Sequence, residues 1–171
     1  MSMGLFALTT LVVGVTIAAY ADVRTRRIPN LLTGALAAIA LIVGASGGPS
    51  VVATTLLLMT TVFFAGTAAF KAGWFGGGDV KLLTACCGLA GPGGSVEVII
   101  YTLFAGGILA VAESARQRRL REVLVGAFNS ATRGVAPSSR TSVPYGLAIA
   151  AGSIAYVLST FPQFHFLRLA L

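Results

Sequence analysis

Hydrophobic positions in this chain do not alternate with polar ones; they come in continuous runs. Six such runs, at about residues 3–21, 31–45, 51–70, 80–90, 95–112 and 143–161, are separated by polar or glycine-rich breaks. Runs of this kind predict membrane helices, because barrel strands would alternate in segments of about ten residues. The pattern predicts an all-α, polytopic membrane helical bundle of about six transmembrane helices. The fourth run is short: at ~1.5 Å per residue it cannot cross a ~30 Å hydrocarbon core unaided. It crosses only if flanking residues extend its helix or if it packs inside the bundle. No internal repeat or low-complexity tail divides the chain, so residues 1–171 are taken as a single integral-membrane domain.

Composition strengthens the membrane reading. Apolar types make up 56% of the residues and charged types only 10%, with a mean hydropathy of +0.90. Soluble globular classes are excluded. Glycine, alanine, serine and threonine are abundant, as expected where helices approach closely in lipid. A net charge of +7 would point to nucleic acid in a soluble protein. In a membrane protein it points to topology, and no nucleic-acid partner is expected. The adjacent Cys86 and Cys87 form no C-x-x-C pair and have no histidine cluster beside them, so they are read as packing residues, with no metal site and no cofactor.

Positive charge orients the bundle. Arg24, Arg26 and Arg27 follow the first run, and Lys71 and Lys81 bracket the join of the third and fourth. Arg116, Arg118, Arg119, Arg121, Arg133 and Arg140 lie between the fifth and sixth, which leaves only Arg168 for the other side. The breaks "GASGGPS" and "GPGG" carry no charge. The positive-inside rule then puts the N-terminus outside and the first, third and fifth loops in the cytoplasm. Ala19-Tyr20-Ala21 resembles a signal-peptidase site, but no Lys or Arg precedes the run and arginines follow it. That charge order favours a retained helix.

Against this background the stretch "WFGGGDVKLL" (74–83) is unusual, because it sets an acid and a base in greasy sequence. The chain contains only two aspartates, Asp22 and Asp79. Asp22 sits where the first run reaches the cytoplasmic side, and Asp79 where the fourth leaves it. If those helices are neighbours, two carboxyls meet at one level. Two carboxyls that close cannot both ionise comfortably, so they share a proton. The ionised partner can take a proton from water while the protonated one polarises a peptide carbonyl and later protonates the leaving amine. The bland alternatives are an N-cap role for Asp79 and pairing of Asp22 with Arg24 or Arg26.

The neighbouring residues favour the chemistry. Gly76-Gly77-Gly78-Asp79 has the form G-x-G-D, and glycines there let a backbone approach the carboxyl closely. The run is not a nucleotide loop, since no G-x-x-x-x-G-K-[ST] is present. Ile28-Pro29-Asn30 gives a proline-marked turn with Asn30 as the expected N-cap of the second helix, pinning the loop that follows Asp22.

Three stretches, "DVRTRRIPN" (22–30), "GGGDVKL" (76–82) and "VPYG" (143–146), together resemble the motifs of the type IV prepilin peptidases, intramembrane aspartic proteases of the G-x-G-D kind. The resemblance implies that Asp22 and Asp79 are the catalytic pair. It implies that Gly76, Gly77, Gly78, Lys81, Pro144, Tyr145 and Gly146 bind substrate or shape the site. It further implies an enzyme of the bacterial cytoplasmic (inner) membrane that removes short basic leaders from prepilins and pseudopilins, with those substrates and the lipid bilayer as partners and no cofactor. Longer members carry an N-terminal extension whose C-x-x-C pairs bind zinc, and they also methylate the mature pilin. Here only hydrophobic helix precedes Asp22, so the likeness is to the short peptidases of tight-adherence (Flp) pilus systems, and no N-terminal zinc-binding or methyltransferase extension is expected.

Two competitors make different predictions. A non-enzymatic membrane scaffold or transporter would pair its acids with Lys81 and Arg24. A G-x-G-D protease of another substrate class would cut, for example, secretory signal peptides. Other polar residues carry plainer expectations: a topology-fixing or lipid-contacting loop for 113–124, surface pairing for Glu97, Glu113 and Glu122, and interfacial anchoring for His165. Trp74 and Tyr145 are either aromatic-belt residues or part of the path by which substrate reaches the site.

Overall fold

The computed structural model describes residues 3–74, 76–116 and 145–161. Five helices follow in order: α1 (Met3–Thr25), α2 (Asn30–Ser46), α3 (Pro49–Lys71), α4 (Gly77–Arg116) and α5 (Tyr145–Ser159). No strand occurs among the described residues. The chain is all-α, as its apolar runs predict.

Local chemistry sets the helix boundaries. α1 stops at Arg26, which takes a left-handed conformation (φ 53°) before the rigid Pro29. The cap position of α2 is Pro29 itself, with extended backbone and no side-chain cap. The expected N-cap role of Asn30 is therefore corrected: Asn30 is the first helical residue, and its amide is free to bond elsewhere. Gly48, at φ 99°, makes the turn into α3, which opens on Pro49, where the missing N–H costs nothing. α3 closes in a Schellman motif. Gly73 takes φ 79°, its N–H bonds to Phe70 O at 2.9 Å, and Trp74 N–H bonds to Ala69 O at 3.0 Å.

α4 joins the fourth and fifth apolar runs into one element broken at Gly91 (φ 71°, ψ 177°), just before Pro92. The break reverses the chain. Cys87 Sγ approaches Ser95 O at 3.9 Å, whereas eight residues of straight helix would put ~12 Å between their levels. The arms 77–90 and 92–116 thus lie antiparallel.

The arms of α4 form the centre. α2 and α3 pack on α4, as does α5, and α1 packs on α5, α4 and α2. Leu11, Val15, Leu82, Cys86, Cys87, Val98 and Ile149 fill the interior, and both thiols are free and buried, in line with their packing role. Small residues set the spacing, as at Gly88 beneath Met59 and Ala40 and at Gly152 against the Thr102 backbone. The outside is apolar too: Ile17, Leu57, Phe64, Phe104 and Ile108 are exposed. Thr16, Thr54, Thr61 and Thr67 on that surface turn their hydroxyls back to the carbonyl four residues earlier, which hides their polarity from lipid.

The expected count of six spans is not met. Among the described residues three helices are long and apolar enough to cross a membrane, within Gly4–Thr25, Pro49–Lys71 and Gly77–Arg116. α2 and α5, with 17 and 15 residues, reach only ~25 and ~22 Å against a core of ~30 Å. Within the described residues the six runs recur as helical stretches, the fourth and fifth as two helices that meet at the Gly91 break.

Candidate active site

Three helix ends meet at one end of the bundle: the last turn of α1, the first turn of α4 and the first turn of α5. Asp22 comes from α1, where its side chain is buried at 7% exposure. Oδ2 accepts a hydrogen bond from the Gly146 N–H at 2.9 Å, so the head of α5 supplies an otherwise orphaned helix donor to the carboxylate. Arg24 is not its partner; that guanidinium lies 5.2 Å from the centre of the Tyr20 ring.

Asp79 is the third residue of α4, and its Oδ2 accepts from the Gly76 N–H at 3.0 Å. This is the return half of a capping box, in which the third helical side chain satisfies the cap residue's amide. The expected N-cap role of Asp79 is therefore corrected: Gly76 is the cap residue, and Asp79, inside the first turn, satisfies its amide, which fixes the carboxyl in place. Asp22 lies close enough for its charge to act on Asp79, and the Tyr145 phenol also feels Asp79. Two acids remote in sequence share one locality, as the charge pattern predicts. Among the described residues no third His, Cys, Asp or Glu joins them to form a metal-binding group.

The glycines around the pair divide by space. A Cβ on Gly76 would stand 2.8 Å from Asp79 Oδ2, and one on Gly78 would stand 3.3 Å from Ile28 Cβ. A Cβ on Gly77 would meet only the Phe70 ring at 3.9 Å, an ordinary contact. The spacing G-x-G-D therefore reflects two tight positions around an open one. Gly146 is the tightest: its Cβ would meet Asp22 Oδ2 at 2.8 Å and Asp22 Cβ at 3.0 Å.

Lys81 points elsewhere. Its Nζ donates to Asn30 Oδ1 at 2.8 Å, not to an aspartate, so neither Lys81 nor Arg24 sits where a charge-paired scaffold would need it. Tyr145 is half-buried at the head of α5, with its hydroxyl lodged where a Cβ on Gly106 would come within 2.7 Å. Pro144 lies outside the described residues, as do Glu122 and His165. Glu113 forms the expected surface ion pair, with Arg116 at 3.0 Å. Glu97 instead accepts from Ser159 Oγ at 3.2 Å and helps join α4 to α5. Gly106 escaped sequence reasoning, because one more glycine in an apolar run carries no signal of what it will face; Ile28 reads in the sequence only as part of the proline-marked turn, not as the neighbour of Gly78.

Residues 9–111 match the model of the type IV leader peptidase family. The chain belongs to that family. The match contains both aspartates and the glycine run, and it ends before the α5 motif that supplies Gly146. No curated protein and no solved structure matches the chain significantly. For a type IV leader peptidase, the meeting of Asp22, Asp79 and the head of α5 is the place to seek the chemistry.

Proposed function

We propose that this chain is a membrane aspartic endopeptidase in which Asp22 and Asp79 activate a water molecule. Its substrates are the short basic leaders of prepilins and pseudopilins, of the tight-adherence (Flp) kind. Its site lies at the cytoplasmic face of the bacterial inner membrane, with the N-terminus outside. The observation that carries the reading is the convergence of the only two aspartates in the chain, each held by a glycine N–H, in a member of the leader peptidase family.

In the reaction one carboxylate removes a proton from water as the oxygen attacks the scissile carbonyl. The other, protonated, donates to the carbonyl oxygen. The tetrahedral intermediate then collapses, and the leaving amine takes a proton from the pair as the C–N bond breaks. One ionised and one protonated carboxyl are needed together, so the rate falls on both the acidic and the alkaline side of its optimum. Gly76 and Gly146 leave both carboxyls hydrogen-bonded without covering them with side chains, and Tyr145 forms part of the surrounding wall.

The test is incubation of detergent-purified protein with a panel of prepilins, pseudopilins and secretory signal peptides, read by product mass. The proposal expects one cut that separates the basic leader from the hydrophobic stem of a prepilin. Cutting confined to secretory signal peptides, or no cutting of any panel member, would overturn it.

A further inference from the structure

The turn between α1 and α2 is fastened to the head of α4 at two places. Ile28 is buried and packs where a Cβ on Gly78 would come within 3.3 Å of it. Asn30 Oδ1 accepts from Lys81 Nζ at 2.8 Å, across 51 positions of sequence. Asp79 lies between these contacts along the chain, with Gly78 before it and Lys81 after it. Lys81 is two residues past Asp79, so their side chains leave the helix about 200° apart. The lysine therefore acts on the side of α4 away from the carboxyl. The turn also needs holding, since Arg26 within it keeps a left-handed backbone (φ 53°) that non-glycine residues rarely adopt.

We infer that Asn30 and Lys81 form a cross-brace, a pair of positioning residues that sets the separation of Asp22 and Asp79. The inference rests on the peptidase reading for its kinetic consequence, while its geometric consequence stands apart from it. A lysine that bound substrate would show its loss mainly in KM, and a brace shows it in kcat.

Two measurements on the full-length protein in detergent test the brace. In the first, kcat and KM for prepilin cleavage are compared for wild type, Asn30→Leu, Lys81→Met, their double variant and Asn30→Asp. Misplacing a reacting group by about an ångström costs on the order of 100-fold, so each single variant should lose roughly 10- to 100-fold in kcat with KM within about threefold. The double variant should be no slower than the worse single one, because one bond has been broken either way. Asn30→Asp keeps the acceptor and should retain most of kcat. Single variants with unchanged kcat, losses carried by KM, or losses that multiply in the double variant would each overturn the brace.

The second measurement needs no activity. Asp22→Cys/Asp79→Cys is oxidised to a disulfide with and without Lys81→Met or Asn30→Leu, and the cross-linked fraction is read from a gel. The brace predicts a lower fraction when either partner is removed, and an equal fraction would overturn it. A wild-type protein that cleaves no prepilin sinks the proposed function and leaves this second result to judge the brace alone. Two alternative disruptions, one on each helix, keep the test decisive if one variant fails to fold.

Discussion

The Gly146 N–H donates to Asp22 Oδ2 at 2.9 Å, linking the start of the last helix to the end of the first across 124 positions. A methyl group at Gly146 has no room, because Asp22 Oδ2, Cβ and Cγ would stand 2.8, 3.0 and 3.1 Å from it. Rotating the carboxyl cannot relieve the contact with Cβ, which is fixed to the α1 backbone. Gly→Ala in a helix ordinarily gains about 0.5–1 kcal/mol, so stability should change little while the acid moves. Gly146→Ala is expected to lower kcat by ~100-fold with the melting temperature within a few degrees of wild type, as measured by cleavage kinetics beside thermal unfolding.

Gly152 and Gly34 make a matched pair for packing. A Cβ on Gly152 would strike the Thr102 backbone, which cannot retreat, whereas one on Gly34 meets nothing within 4 Å. Gly152→Val should separate α5 from α4 and cost at least ~1–3 kcal/mol. Gly34→Ala should be neutral or slightly stabilising. Size-exclusion recovery and thermal unfolding in one detergent would check both.

Cys86 and Cys87 are fully buried, and reactive cysteines need access as well as thiolate character. A membrane-permeant maleimide should therefore leave both unmodified and cleavage unaffected in the folded protein. In denaturant both should label, as counted by mass. Rapid labelling of the native protein, with loss of activity, would contradict the packing described.

Ser46 ends α2 just before α3, and Trp74 follows the end of α3, so the two residues lie at opposite ends of that helix. Both are exposed. Trp74→Cys should label from the cytoplasmic side and Ser46→Cys from the outside with an impermeant thiol reagent in oriented membranes. The reverse pattern would invert the proposed topology, and labelling of both from one side would remove it.

Much of this arrangement was legible from the chain. Continuous apolar runs announced helices, and scarce charge drew Asp22 and Asp79 to one level. What stayed hidden depended on facing and on backbone geometry. Gly91-Pro92 reads as a break between two helices, and the backbone does break there at Gly91 (φ 71°), but how closely Cys87 and Ser95 fold back on each other is not displayed by the sequence. Asn30 has the side chain of a good cap, yet Pro29 fixes the backbone so that the cap falls one residue earlier. The split of the glycine run into tight positions 76 and 78 and an open 77 depends on Ile28 and the folded-back Asp79 carboxyl, which no local pattern displays.

The central claim is that Asp22 and Asp79 act as one catalytic unit. Asparagine keeps an oxygen that can accept from Gly146 or Gly76, so Asp22→Asn and Asp79→Asn should both preserve the fold. The decisive measurement is single-turnover cleavage of a purified prepilin by wild type, each single variant and the double. General acid–base catalysis contributes ~10²–10⁴-fold, and each single variant should lose at least about 100-fold, with little further loss in the double. A correctly folded Asp22→Asn or Asp79→Asn protein that cuts at the wild-type rate would contradict the account.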